Sequence, residues 1–134
     1  MITSPSHVLA RSKPLVLGCI DTSPRTARAS AVAQLAQWGR AELADDLAEI
    51  VSELTTNAVQ ASEPGGTAVV VSLILTSASV AVEVHDRAPG FPVLREPGPG
   101  AESGRGLRIV AELSRDWGWL PTRGGKVVWS ELAA

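Results

Sequence analysis

Apolar residues recur at spacings of three and four from Ala41 to Ala61. Leu43, Leu47, Ile50, Val51, Leu54, Ala58 and Ala61 fall on one stripe, as one buried face of an amphipathic helix requires. Pro64-Gly65-Gly66 ends that pattern. The period then changes. Thr67 to Leu75 is a nearly continuous valine- and leucine-rich run, which reads as a strand buried on both sides or nearly so. After a compact turn at Ser77 to Ser79, Val80, Val82 and Val84 alternate with Ala81, Glu83 and His85, and the strand delivers Asp86 at its end. The order suggests a hairpin within a larger sheet.

The flanking segments read less sharply. Asp21-Thr22-Ser23-Pro24 is a helix-start signal, with short oxygen-bearing side chains to cap free N–H groups and a proline suited to the first turn. Ala27, Ala31, Leu35 and Trp38 continue it, and Gly39 ends it. Leu15 to Ile20 reads as a short strand, and residues 1–13 as a flexible tail ahead of a single domain over 14–134. Arg87 to Ser103 is rich in proline and glycine and reads as an irregular loop. A helix follows, with Leu107, Val110, Leu113 and Trp117 on its apolar face. Trp119-Leu120 reads as a short strand, Arg123-Gly124-Gly125 as a hairpin turn, and Lys126 to Leu132 as a closing strand. Amphipathic helices packed across one sheet face are the economical way to bury both patterns.

Composition narrows the function classes. The 134 residues suit one domain, and a 45% apolar content excludes a wholly disordered chain. The formal net charge of -2 argues against a general nucleic-acid coat protein. With one cysteine, Cys19, and two histidines, His7 and His85, a usual Cys/His zinc site is excluded. The single cysteine also points to a reducing compartment. No apolar run is long enough for a membrane span. These features read as a cytoplasmic protein.

Three polar constellations interrupt the apolar pattern. Glu53 and Asn57 lie one helical turn apart, each one position before a stripe residue. The amide oxygen suits Mg2+, and the carboxylate suits proton acceptance near a phosphate. An ordinary helix surface explains the same spacing. Asp86, fixed at a strand end, can accept a hydrogen bond from a base amine or simply cap a turn. Ser103-Gly104-Arg105-Gly106-Leu107 opens a helix, where free N–H groups favour phosphate. Arg105 either adds a charge-assisted contact or faces solvent. The pattern is neither a P-loop nor the dinucleotide fingerprint. His85 neighbours Asp86 but faces the other way on a strand. Cys19 reads as a small buried side chain. Trp117, Trp119 and Trp129 read as core packing or as a partner surface.

These constellations, in this order, resemble the histidine-kinase-like ATPase superfamily. The similarity is greatest to small actinobacterial ATP-binding proteins related to anti-sigma-factor serine kinases. Val51-Ser52-Glu53-Leu54-Thr55-Thr56-Asn57-Ala58 is similar to the family's Asn-bearing helix. Val82-Glu83-Val84-His85-Asp86 is similar to the strand ending in the adenine-recognising aspartate. Ser103 to Leu107 is similar to the glycine motif at the phosphates, and Gly124 to Leu132 to the closing strand. The resemblance implies a two-layer α/β sandwich of the Bergerat type, a mixed sheet with helices on one face. It implies ATP and Mg2+ as cofactors, Asn57 at the metal and Glu53 as general base. It implies nucleotide contacts from Asn57, Asp86, Gly90, Gly104, Arg105, Gly106 and Leu107. Arg87 to Ser103 would be the lid. The implied partners are a sigma factor or a small anti-sigma antagonist, whose serine accepts the phosphoryl group. Homodimers occur in related anti-sigma factors, and no direct nucleic-acid or membrane contact is implied. Ala88 stands where the family often has glycine, and Val127 follows Lys126 where the closing strand often carries threonine. The alternative function is a non-catalytic interaction module with degenerate or weak nucleotide binding.

Overall fold

A computed structural model describes residues 8–62, 68–88 and 106–134. In chain order the elements are β1 (Val8–Arg11), β2 (Leu15–Leu17), α1 (Ser23–Gln37), a 3-10 turn (Ala41–Leu43) leading into α2 (Ala44–Ala61), β3 (Val69–Thr76), β4 (Ser79–Asp86), α3 (Gly106–Leu113), β5 (Asp116–Thr122) and β6 (Gly125–Ala133). The sheet runs β1-β3-β4-β6-β5, with β2 also paired to β3. The two-layer α/β fold expected from the sequence is observed, with one refinement. All five pairings among the described strands are antiparallel.

The apolar stripe of α2 explains the layering. Leu47, Ile50, Val51, Leu54 and Ala58 are buried in one core cluster with Val69, Val71, Leu73 and Leu75 of β3 and Val80, Val82 and Val84 of β4. Each fully buried aliphatic side chain contributes about 1.5–3 kcal/mol of transfer free energy. Because strand side chains alternate, residues of the same parity share a face. Asp86 therefore follows Val80, Val82 and Val84 onto the helix-facing side, while Ala81, Glu83 and His85 lie on the other. The same parity puts Lys126 with Val128 and Leu132 on the helix side.

Three expectations change. Residues 8–11 are not part of a loose tail. Val8–Arg11 pairs with the far half of β3, with an irregular register between Val8 and Ala10. The Ser12 hydroxyl accepts from the Leu73 amide at 2.8 Å, and the Ser12 amide donates to the Leu73 carbonyl at 2.9 Å. Ser12 thus carries the pairing along β3 between β1 and β2, which lets so short a strand persist. Second, α3 stops at Leu113, and Trp117 belongs to β5 instead of the helix. Ser114 marks the break, its hydroxyl sharing a hydrogen bond with that of Ser130 on β6. Third, Thr22 sits at the cap of α1 without a side-chain hydrogen bond, while Ser23 Oγ donates to the Gly18 carbonyl at 2.5 Å. That bond ties the helix start to the end of β2. Gly39, at φ 70°, ends the α1 region in the left-handed conformation that glycine tolerates. Pro64-Gly65-Gly66 and all but the first two residues of the Arg87-to-Ser103 loop lie outside the described residues.

Candidate functional site

Glu53 and Asn57 sit on α2 at the edge of its buried stripe, and both are half-buried. Their stripe neighbours Leu54 and Ala58 are 2% and 3% exposed, so the helix cannot rotate to expose or bury the pair without breaking the core. Neither side chain hydrogen-bonds to another described residue. Partial burial raises the Glu53 carboxyl above its ordinary pKa of 4.5, and the nearby negative charge of Glu49 raises it further. A carboxylate in that state is a better proton acceptor than a solvated one. Thr55, between them in sequence, is fully buried, and its hydroxyl has no hydrogen-bond partner among the described residues.

Asp86 is held far more tightly. Its side chain is 1% exposed, and its Oδ1 accepts from the Ala88 amide at 2.9 Å. The same oxygen accepts from Lys126 Nζ at 3.0 Å, on a side chain only 7% exposed. The pairing register sets this up, since Asp86 and Lys126 are direct cross-strand partners on β4 and β6. Ala88 keeps the amide that the carboxylate needs, and no described non-glycine residue has positive φ, so the turn after Asp86 works without glycine there. Val127, by contrast, is buried on the face away from the helices. The closing-strand residue beside Asp86 is therefore Lys126. Sequence reading missed it as a site residue. Its only signal was a lysine directly after the Gly124-Gly125 turn, the one charged residue on the core side of that strand.

The hairpin itself is tuned to this contact. Gly124 takes φ 84° at the turn. A methyl group on Gly125 would overlap the Asp86 carbonyl oxygen and approach Arg87 Cα at 2.8 Å. Only glycine lets β6 start so close to the chain leaving β4.

The glycine motif is described only from its end. Gly106 begins α3, and Leu107 is 4% exposed in the same core cluster as Leu54 and Ala58. Leu107 thereby anchors the start of α3 against α2. Gly90, Gly104 and Arg105 lie outside the described residues. His85 and Asp86 do face opposite ways: His85 Nε2 lies 3.6 Å from Glu83 Oε1 on the helix-free face. No group of histidine, cysteine and acidic side chains able to hold a metal ion occurs among the described residues. No described helix is long and apolar enough to cross a membrane.

Comparisons with known proteins bear on the fold and the family. No curated protein matches the chain. Among solved structures, the chain is similar to the crystal structure of the RsbU and RsbW domains of Rv1364c from Mycobacterium tuberculosis. The TM-score is 0.66 at 21% identity, covering 91% of this chain and 32% of that one. At that identity the likeness speaks to the fold, and this chain spans about a third of the other's length. The family model described as the histidine kinase-like ATPase domain matches residues 21–130, which takes in Glu53, Asn57, Asp86 and Lys126. The chain belongs to the histidine kinase-like ATPase domain family.

Proposed function

We propose that this protein binds ATP and works as a regulatory serine kinase of the anti-sigma-factor type, acting on a small antagonist protein. The observation that carries the reading is a buried, positioned Asp86 within a family match that also contains uncommitted Glu53 and Asn57 on α2. The similarity to a chain with an RsbW domain supports the direction of the proposal.

The residues fit the chemistry. Asp86 spends Oδ1 on Ala88 and Lys126, and no described residue hydrogen-bonds to Oδ2. That oxygen suits the exocyclic amine of adenine. Asn57 offers an amide oxygen of the hard kind that magnesium prefers. When bound, the ion would offset negative charge on the phosphates. Glu53 takes the proton of the attacking hydroxyl. In that transfer a partner's serine oxygen forms a bond to the γ-phosphorus, the bond to the β,γ-bridging oxygen breaks, and ADP leaves. The raised pKa of Glu53 makes its carboxylate a stronger proton acceptor in this role.

Calorimetric titration with ATP and Mg2+ tests the binding, and transfer of labelled γ-phosphate to the cognate antagonist tests the activity. Saturable binding that Asn57→Ala and Asp86→Asn both weaken is the expected result. Binding by the wild type without transfer to the true partner would sink the kinase claim and leave a nucleotide-binding interaction module.

A further inference from the structure

Lys126 is an expensive residue to keep where it is. Burying an ammonium costs several kcal/mol unless charge pairing and hydrogen bonds offset it. One of its three N–H donors meets Asp86 Oδ1 at 3.0 Å, and no other described residue accepts from the remaining two. Its side chain is 7% exposed, on the same helix-facing side of the sheet as the Asp86 carboxylate. The site therefore presents a carboxylate oxygen with spare lone pairs beside an ammonium with spare donors. A purine edge presents the complement. Adenine carries an exocyclic amine donor next to the ring acceptor N1.

We infer that Lys126 is a base-reading residue, donating directly to adenine N1 while Asp86 Oδ2 accepts from the exocyclic amine. This rests on the ATP-binding reading above. The pair then reads two adjacent atoms of the base with two groups that the sheet register has already fixed, so little side-chain entropy is lost on binding. Lys126 also holds Asp86 in place, and the experiment must separate reading from holding.

The probes are ATP, 1-deaza-ATP (in which N1 is replaced by C–H) and GTP, titrated against the full-length wild type, Lys126→Met and Asp86→Asn. The wild type should bind ATP at least tenfold more tightly than 1-deaza-ATP, as expected for losing a charged hydrogen bond. Lys126→Met should bind the two nucleotides equally, with ATP weakened to the level of the analogue. Where that variant does not fold, the Nζ resonance of Lys126 in 15N-lysine wild type gives the same answer. It should shift with ATP and stay still with 1-deaza-ATP. If Asp86→Asn weakens ATP binding while Lys126→Met keeps the preference for ATP, or binds ATP more tightly, the inference fails and the ATP reading stands. An Nζ resonance that responds equally to both nucleotides overturns it as well. Tighter binding of GTP than of ATP also overturns the assignment, because guanine presents an acceptor and a donor in the reverse order. No saturable binding of ATP by the wild type overturns both readings together.

Discussion

Two carboxylates three residues apart on β4 are both buried, and the protein treats them differently. Asp86, on the helix-facing side, has a backbone amide and an ammonium on one oxygen. Glu83, on the helix-free side, is 7% exposed, yet its Oε2 has no hydrogen-bond partner among the described residues, and its Oε1 lies 3.6 Å from His85 Nε2. Its direct cross-strand neighbours are Ser72 and Trp129. Burial alone therefore does not mark a site. What sets Asp86 apart is that two elements, the turn after β4 and the first residues of β6, converge on it. A carboxylate fixed through one oxygen, with the other left for a ligand, is a positioned one, and positioning is what ligand recognition needs.

That contrast predicts a ranked set of effects. The largest is Asp86→Ala, which leaves Lys126 buried without its partner. Chemical denaturation should show a loss of about 3–5 kcal/mol. A loss under 1 kcal/mol would mean the ammonium escapes to water and the pair is not a fixed feature. Next is Gly125→Ala, whose methyl group collides with backbone at Asp86 and Arg87. Overpacking of this kind costs about 1–3 kcal/mol, and ATP affinity should fall with it because Asp86 is displaced. Normal stability with normal binding would show that β6 can shift freely. Glu83→Val runs the opposite way. Removing a buried, half-satisfied carboxylate from a strand should stabilise the protein by about 1 kcal/mol and leave ATP affinity unchanged. Destabilisation would show that Glu83 makes a net favourable contact where it sits.

The smallest expected effect concerns Glu53, the half-buried carboxylate on α2. Its folded pKa lies above the ordinary 4.5. The folded state therefore binds its proton more tightly than the unfolded state does, so ionisation costs stability at neutral pH. That cost disappears as pH falls through the raised folded pKa towards 4.5. Glu53→Gln should raise the melting temperature at pH 7 by only about 1 °C, since water screens much of the effect. The gain should vanish in acid. A gain that persists at pH 4 would trace to something other than the charge. In the transfer assay the same variant should lose most activity, which separates the proton-accepting role from the stability effect.

Much of the fold was legible in the chain. The α2 stripe, the β3–β4 hairpin and the glycine turn before β6 each carry a strong local period or a required backbone conformation. The elements that were misread lack such a signal. Val8–Arg11 is four residues long and owes its strand state to β3 and to Ser12. Trp117 sits at helical spacing from Leu113, but Gly118 and Pro121 follow it, and cross-strand pairing with β6 decides its state. At Gly118 the Trp129 ring lies so close that an added methyl would meet it at 3.0 Å, a contact no local pattern announces.

The candidate site divides the same way. Glu53, Asn57 and Asp86 stand in the sequence as polar interruptions of apolar periods, and their order along the chain already indicated the family. Lys126 does not stand out there. It lies 40 residues from Asp86, and whether it or Val127 points at that carboxylate depends on one step of strand register. The sequence by itself determined which segments had to bury a face and which side chains were left over for chemistry, because periodicity is local. Only the tertiary structure decided that an aspartate and a lysine would share one buried position, because the register between β4 and β6 is set by the packing of both strands against the helices.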